Sequence, residues 1–293
     1  MDIVDLISQY TELRQISKGY NGKCPLHEGD GPNTIWVTEN PGWFYCFSCG
    51  ATGNAIHFYA EAEKISFNEA VEKIAEINNI DIGKNEEWRK QKSYTEQCEQ
   101  QARQWHSKIN QAYDYLTKER KLTDEIIREF NIGFCSDLAN DNVSWSPDKK
   151  ERYRGISGVS FPIRDVNGRT IAFAYRTQTK AKYINSMNND FYVKGDVLFN
   201  ADKAKRLIKD RLYVVEGYMD AISCHQQGVP CVAYCGAMLT KEQVNGIKSL
   251  CKGKSNVTIY LAPDNDDTGM NNVERMREKL KILNMPTRVV EIP

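Results

Sequence analysis

The chain has 293 residues, of which 41% are hydrophobic and 27% charged, the composition of an ordinary soluble globular protein with room for two or three small domains. Lys plus Arg (39) equals Asp plus Glu (39), so a nucleic-acid partner has to be bound by local basic patches and not by net charge. No apolar run is long enough for a membrane span, and the start, MDIVDLISQY, does not resemble a secretory signal. Nine cysteines in such a chain favour thiols and metal ligands over a disulfide framework and predict a reducing cytoplasm.

Two pairs of metal-ligand residues lie near the start of the chain. Cys24-Pro-Leu-His27 and Cys46-Phe-Ser-Cys49 each have a two-residue gap, and a β-rich stretch with a predicted hairpin separates them. This spacing predicts a closed, structural zinc site with four protein ligands. Since four ligands complete the site, we expect His57 to be a structural histidine and not a fifth ligand. Ser66, followed by Glu69, predicts a capping box that opens an amphipathic helix.

A charged, polar stretch over 83–105 has little apolar periodicity and predicts a solvated helical or flexible linker. Beyond it, two apolar strands flank Asp165-Val-Asn-Gly168, where Asn-Gly favours a tight hairpin turn. Cations and aromatic residues then alternate, among them Arg176, Lys182, Tyr183 and Lys194. Such a series can hold phosphates while it stacks bases, although a solvated β-surface explains it equally well.

The last part of the chain alternates short apolar runs with helical patterns, which predicts a parallel sheet with strands over 212–215, 229–234, 256–262 and 287–292. Acidic residues follow two of these strands at the carboxyl edge where such sheets carry their working groups. They are Glu216, Asp220, Asp264, Asp266 and Asp267. Carboxylates gathered in this way suit Mg²⁺ or Mn²⁺, which share coordination with substrate phosphates, and predict a metal-dependent phosphoryl-transfer centre. A second metal site at Cys224, His225, Cys231 and Cys235 is conceivable, but packing explains these residues better.

Three groups of motifs together resemble the DnaG-type bacterial and phage DNA primases. CPLH, CFSCG and SFNEAVEKIAE resemble their zinc-binding domain, and YLTKERKLTDEIIREFNIGF, FPIRDVNGRTIAF, KYINS and FYVKG resemble the first part of their RNA polymerase domain. VVEGYMD, the turn at Gly236 and the DND loop resemble their toprim subdomain. The resemblance implies an α/β multidomain protein with an N-terminal zinc-ribbon β-domain (1–82), the linker (83–105), a mixed α+β middle subdomain (106–210) and a parallel, Rossmann-like toprim α/β subdomain (211–293).

The resemblance also implies residue roles. Glu216 matches the toprim glutamate, a metal ligand or general acid–base, while Asp264 and Asp266 match the pair that binds the catalytic metals, with Asp220 beside them. The remaining matches are the family's basic template- and nucleotide-binding residues and its zinc ligands. They fall on Arg176, Lys182, Tyr183, Asn185 and Lys194, and on Cys24, His27, Cys46 and Cys49.

The chain departs from the family's pattern in three places. Glu28-Gly-Asp30-Gly-Pro follows the first ligand pair where the family often has a basic, serine-containing stretch, and Ala-Met-Leu-Thr240 replaces the usual turn after Gly236. The family places a further acidic metal motif just after the strand that reads TRVVEIP here. Because the sequence stops at Pro293, we expect it to be a C-terminally truncated piece of a longer primase or primase–helicase.

The expected function is therefore synthesis of short RNA primers from ribonucleoside triphosphates on a single-stranded DNA template, by two-metal nucleotidyl transfer. The expected cofactors are structural Zn²⁺ and catalytic Mg²⁺ or Mn²⁺, and a replicative helicase, fused or separate, is the expected partner. The protein is expected in the cytoplasm of a bacterium or of a phage-infected host, with no membrane partner. Two alternatives remain open: toprim-type strand cleavage, as in nucleases and topoisomerases, and a non-catalytic zinc and single-stranded-DNA-binding module of a replication complex.

Overall fold

The structure is a computed structural model that describes residues 2–28, 31–254, 256–263 and 267–290, and of residues 84 and 267–271 the backbone alone. The chain divides into two compact units. The N-terminal unit comprises residues 1–89 and 205–209, and the C-terminal unit comprises residues 90–204 and 210–293. Within the described ranges, no helix combines the length and apolar character needed to cross a membrane. All nine cysteines are thiols.

The N-terminal unit is built on a five-stranded antiparallel sheet whose strands lie side by side in chain order. The strands are β1 (Leu13–Ile16), β2 (Gly19–Gly22), β3 (Ile35–Thr38), β4 (Trp43–Cys46) and β5 (Thr52–Gly53). Alternation along β3 turns Ile35 and Val37 inward, where they are fully buried with Phe44 of β4. One face of this sheet therefore forms the core of the unit.

Three helices belong to the same unit: α1 (Ile3–Ser8), α2 (Ala55–Ala62) and α3 (Phe67–Ile77). Phe58 of α2 contacts Phe44 edge to face, with ring centroids 5.4 Å apart. Helix α3 begins with the predicted capping box: the backbone N–H of Glu69 donates to Ser66 Oγ (3.3 Å), and the Glu69 carboxylate accepts from the Ser66 N–H (2.8 Å). This prediction is confirmed.

Helix α4 (Glu86–His106) runs through the stretch that we expected to be a linker. Cys98, Ala102 and Trp105 recur at helical spacing and are at most 2% exposed. The hydroxyl of Tyr94 donates to the carbonyl oxygen of Ile171 (2.9 Å). From Tyr94 onward, the helix is thus part of the core of the C-terminal unit, although most of its residues are polar.

The first sheet of the C-terminal unit is antiparallel and has the order β6-β7-β8-β9. Its strands are β6 (Gly133–Cys135), β7 (Gly158–Arg164), β8 (Thr170–Thr177) and β9 (Tyr183–Asn185). The predicted hairpin is the β7–β8 pair. Its turn is closed by Asp165 Oδ1, which accepts from the N–H groups of Asn167 (2.9 Å) and Arg169 (3.0 Å), while Gly168 takes a φ of +83°.

The second sheet of this unit is parallel and has the order β11-β10-β12-β13. Its strands are β10 (Arg211–Val215), β11 (Cys231–Ala233), β12 (Thr258–Ala262) and β13 (Thr287–Val289). The remaining helices are α5 (Asp124–Glu129), α6 (Ala201–Leu207), α7 (Tyr218–Gln226), α8 (Lys241–Leu250) and α9 (Asp267–Leu280). The expected parallel strand–helix architecture is confirmed.

The chain leaves β10 towards β11 on one side and later returns to β12 on the other side. This change of direction opens a crevice at the carboxyl end of β10, where ligands bind in open α/β sheets. Phe161 of the antiparallel sheet and Val215, Tyr218 and Ile222 of the parallel part share one buried core. The two sheets of the C-terminal unit are therefore packed together next to this crevice.

Candidate functional site

The two predicted zinc-ligand pairs lie together in the N-terminal unit. The ligand atoms of Cys24, His27, Cys46 and Cys49 all lie within 4.8 Å of one another, and Cys46 Sγ is 3.9 Å from His27 Nδ1. Tetrahedral zinc with bonds of about 2.3 Å to sulfur needs ligand atoms about 3.8 Å apart. The donor set and its spacing therefore fit zinc.

Local backbone geometry explains how the pairs meet. Cys46 ends β4 opposite Ile35, and the hydroxyl of Thr34 accepts from the N–H of Cys24 (3.0 Å), which ties the first pair to the start of β3. The N–H of Cys49 points at Cys46 Sγ (3.4 Å), an arrangement that favours a thiolate. Burial raises the pKa of the Cys24 and Cys49 thiols, so thiolates at this place require a cation.

The other histidine and cysteine candidates have different neighbours. His57 takes part in the cap of α2, where its Nδ1 lies 2.7 Å from Asn54 Oδ1. His225 Nε2 lies 2.9 Å from a carboxylate oxygen of Glu129. In the described part of the chain, the zinc cluster is the one group of three or more such ligands close enough to hold an ion.

A pocket of about 350 Å³ lies at the carboxyl end of β10 in the C-terminal unit. It brings together seven residues that the sequence marked as site candidates. They are Glu216, Asp220, Arg176, Lys182, Tyr183, Asn185 and Lys194. Asp264 and Asp266 lie outside the described residues. Strand β12, which precedes them, ends at Ala262, paired with Val215 immediately before Glu216.

The acidic side of the pocket is formed by the end of β10 and the first turn of α7. Glu216 directly follows the strand, and its Oε2 accepts from the hydroxyl of Tyr234 (3.3 Å). Asp220 lies in the first helical turn, and a Cβ placed on Gly217 would fall 2.5 Å from Asp220 Oδ2. A glycine at 217 thus leaves room for the Asp220 carboxylate beside Glu216.

The basic side comes from the antiparallel sheet and the loop that follows it. Arg176 pairs with Tyr183 across β8 and β9, and its guanidinium lies 5.5 Å from the Tyr183 ring centroid and 3.4 Å from the Tyr183 hydroxyl. Burial raises the pKa of Tyr183, so the phenol stays neutral beside this cation. Lys182 is exposed, and Lys194 begins a short 3₁₀ turn (Lys194–Asp196).

The two sides are joined by a direct hydrogen bond, because the hydroxyl of Tyr218 on α7 donates to the side-chain oxygen of Asn185 on β9. Tyr218 is 4% exposed, and its ring lies 5.4 Å from that of Tyr183. The pocket therefore sets carboxylates opposite cations, an arrangement that can hold a metal ion and phosphate groups at the same time.

Arg120 also lines the pocket, and the sequence did not single it out. It follows a π-helical turn (Tyr115–Glu119), and its Nε donates to the hydroxyl of Tyr115 (2.7 Å). The Tyr115 hydrogen bond is the main cause of a raised pKa of Arg120. The surrounding Thr-Lys-Glu-Arg-Lys looks like a solvated charged surface in the sequence; the π-helical turn, a feature frequent at functional sites, is visible in the structure alone.

Three family models match this chain. They are described as CHC2 zinc finger (residues 1–91), DNA primase catalytic core, N-terminal domain (148–205), and Toprim-like (213–293). A DNA primase of Enterococcus faecalis is 30% identical over 96% of this chain and 51% of its own length. One from Helicobacter pylori is 32% identical over 92% of this chain and 52% of its own length. The chain thus spans about half the length of the relatives that it matches.

Solved structures agree with these matches. The crystal structure of the zinc-binding and RNA polymerase domains of Aquifex aeolicus primase is 27% identical, with a TM-score of 0.58, over 100% of this chain and 77% of that one. A DNA primase domain from Pseudomonas aeruginosa is 28% identical, with a TM-score of 0.56, over 67% of this chain and 70% of that one. With its zinc ribbon, antiparallel sheet and toprim-like sheet in this order, the chain belongs to the DnaG-type DNA primase family.

Proposed function

We propose that this chain carries the catalytic core that synthesises short RNA primers from ribonucleoside triphosphates on single-stranded DNA. The observation that carries the proposal is the pocket at the end of β10, in which Glu216 and Asp220 face Arg176, Lys182 and Lys194. The names of the relatives support priming over strand cleavage and over a purely non-catalytic role.

The carboxylates of the pocket fit a divalent cation of the Mg²⁺ or Mn²⁺ type, because both are oxygen donors that line one solvent-accessible cavity. Asp264 and Asp266, which follow the adjacent strand in the sequence, would complete the donor set. When bound, two such ions would activate the primer 3′-hydroxyl and stabilise the departing pyrophosphate. Glu216 would bind metal or assist proton transfer.

The basic side of the pocket would bind phosphates of the template or of the incoming nucleotide. Arg176 and Arg120 would each offer a planar guanidinium fork to phosphate oxygens, and Lys182 and Lys194 would add point charges. Tyr183, next to Arg176, could stack on a base. Asn185 is held by Tyr218 and would contribute a polar contact near the sugar or base.

The partners follow from the same assignment. Single-stranded DNA would be the template, and a fold relative solved with single-stranded DNA, 23% identical with a TM-score of 0.55, supports this choice at the level of the fold. A replicative helicase, in trans or in a longer chain, would be the protein partner, and the cytoplasm the compartment. We propose the domain limits 1–82, 106–210 and 211–293, with 83–105 as the connection whose second half, from Tyr94, packs in the C-terminal unit.

A primer-synthesis assay tests the proposal. The chain is incubated with single-stranded DNA, four ribonucleoside triphosphates and Mg²⁺ or Mn²⁺, and the products are separated by length. We expect short RNA products, reduced at least about a hundredfold by Glu216→Gln or Asp220→Asn, while Glu125→Gln, an exposed carboxylate of α5, keeps the parent rate.

Each other outcome has a distinct meaning. Primers made at the parent rate by the Glu216→Gln variant would show that the site assignment is wrong. Metal-dependent DNA cleavage without nucleotide incorporation would establish strand cleavage instead. Binding of single-stranded DNA without any metal-dependent chemistry would support the non-catalytic module for residues 1–293.

A further inference from the structure

The turn that carries Lys194 is clamped against the first turn of helix α8. The hydroxyl of Thr240, which caps α8, donates to the carbonyl oxygen of Gly195 at 2.5 Å. Further along α8, Gly246 lets the backbone of the helix approach Leu198, since a Cβ there would lie 3.1 Å from Leu198 Cδ1. The loop after Lys194 therefore lies along one face of α8.

Gln243 is the centre of this clamp. Its side chain is buried, with the residue 1% exposed, and every polar function of its amide is used. Nε2 donates to the carbonyl oxygens of Val197 and Tyr234, both at 2.9 Å, and Oε1 accepts from the N–H of Thr240 at 3.1 Å. A single amide group thus links three separate segments.

Two of these segments carry residues that line the pocket. Val197 follows the 3₁₀ turn of Lys194, a pocket cation. Tyr234 precedes Cys235 and Gly236 at the pocket rim, and its hydroxyl donates to Glu216. The amide of Gln243 therefore ties the Lys194 turn to the strand end beside Glu216, in addition to the backbone bridge between Phe199 and Ala233 further along the same loop.

If Gln243 only stabilised the fold, its amide could donate to any carbonyl groups nearby. Here both accepting carbonyls belong to segments that carry pocket residues, and the Thr240 hydroxyl adds a second link to the Lys194 turn. Loss of the amide would leave the buried carbonyl oxygen of Tyr234 and the part-buried one of Val197 without this donor. The Lys194 turn, which lies ahead of the Phe199–Ala233 bridge, could then shift relative to the strand end.

We infer that Gln243 is a positioning residue that holds the ammonium group of Lys194 where it can bind a phosphate oxygen opposite Glu216. This inference rests on the proposed function, because that function assigns phosphate binding to Lys194. The phosphate belongs to a polynucleotide or to a nucleoside triphosphate, and the two arms of the test distinguish these sources.

The test measures binding of a fluorescein-labelled oligothymidylate and, separately, of Mg·GTP. The proteins are the parent chain, Gln243→Met, Lys194→Ala, the double variant, and Thr240→Val as a milder second disruption of the clamp. Gln101→Met is the matched control, because Gln101 is another buried glutamine of the C-terminal unit, bonded to Gln104 on α4 and outside the pocket.

We expect Lys194→Ala and Gln243→Met each to weaken binding of the same probe about tenfold, the loss typical of one charged hydrogen bond. The double variant should be no weaker than Lys194→Ala alone, because Gln243 acts through Lys194. For the oligonucleotide, each single variant should also reduce the slope of log affinity against log salt by about 0.7. The Thr240→Val variant should show a smaller loss of the same kind, and Gln101→Met should bind as the parent does.

Three results would overturn the inference. The first is Gln243→Met binding as tightly as Gln101→Met while Lys194→Ala is impaired, which leaves the proposed function intact. The second is a full additional loss on adding Gln243→Met to Lys194→Ala, which makes Gln243 a general stabiliser. The third is Lys194→Ala binding both probes like the parent, which places the failure in the proposed function itself.

Discussion

Asp220 lies against Gly217 so closely that a methyl group on residue 217 would stand 2.5 Å from the Asp220 carboxylate oxygen. Gly217 has a φ of −105°, which any residue can adopt, so the glycine is required by space and not by backbone conformation. The atom in the way is the tip of a side chain that can turn aside. A larger residue at position 217 would thus displace the Asp220 carboxylate rather than destabilise the fold.

Gly217→Ala should therefore separate function from stability. We expect the free energy of unfolding to stay within about 1 kcal/mol of the parent value. Primer synthesis should fall about a hundredfold, as expected for a misplaced active-site group. Urea denaturation and the primer assay check the two effects. Strong unfolding of the variant, or unchanged synthesis, would contradict this account of Gly217.

Arg120 should behave as a pocket cation although its sequence surroundings look like a solvated surface. Arg120→Ala removes a guanidinium beside Arg176 and Lys182, so oligothymidylate binding should weaken and its salt slope should decrease by about 0.7. Fluorescence anisotropy over a salt series measures both. Arg103→Ala, on the exposed side of α4, serves as the charge-matched control. Equal salt slopes for the two variants would show that Arg120 does not bind the oligonucleotide in the pocket.

The zinc cluster should be essential to the N-terminal unit. We expect about one zinc ion per chain by elemental analysis. Cys49→Ser should lose this ion and the cooperative unfolding of the N-terminal unit, because metal binding supplies folding free energy in small zinc domains. Cys224→Ser, a thiol outside the cluster, should keep the ion. A metal-free Cys49→Ser protein that unfolds like the parent would show that this sheet does not depend on zinc.

Lys254 predicts a dependence of stability on pH. Burial lowers its pKa from 10.5 to about 8 in the folded chain. Between these values the unfolded chain binds more protons than the folded chain, so this group adds stability as the pH rises from about 8 to 10.5 and leaves a penalty below about 8.

Lys254→Met should therefore raise the midpoint of urea unfolding at pH 7, and its advantage over the parent should shrink towards pH 10.5. Only the difference between the two proteins is interpreted, because tyrosines and thiols remote from Lys254 titrate in the same range and cancel in the comparison. Cys251 does not cancel, because burial raises the pKa of its thiol while the Lys254 charge lowers it, and its contribution belongs to the measured difference. A constant difference across the range would mean that the ammonium group of Lys254 is well solvated in the folded chain.

Motifs whose residues have a fixed, short spacing could be predicted from the sequence. The zinc pairs, the Ser66–Glu69 capping box and the Asn-Gly hairpin each depend on residues a few positions apart, and each is formed in the structure. The parallel strands were also predictable, because each reads as a short apolar run that ends before polar groups. Glu216 could be placed at the sheet edge for the same reason.

Features that depend on tertiary packing could not be predicted in this way. Helix α4 buries a narrow face of Cys98, Ala102 and Trp105 within a largely polar sequence, so its apolar periodicity was too weak to recognise. Arg120 reaches the pocket from a π-helical turn, which has no sequence signature of its own. The amide of Gln243 acquires its role from the carbonyls of Tyr234 and Val197, nine and 46 residues away, and no helical or strand periodicity predicts such partners.

Helix α4 also determines where the chain can be divided for experiments. Residues from Tyr94 onward pack inside the C-terminal unit. The Tyr94 hydroxyl donates to the carbonyl oxygen of Ile171, and the Glu99 carboxylate accepts from the N–H of Thr170 (2.9 Å). A fragment that started at residue 106 would lack Trp105, whose ring contacts Phe173 and Tyr175, and would expose both aromatic residues to water. Expression of the polymerase part alone should therefore begin upstream of Tyr94, and an exchange of zinc modules between relatives should keep this half of the helix with its own partner sheet.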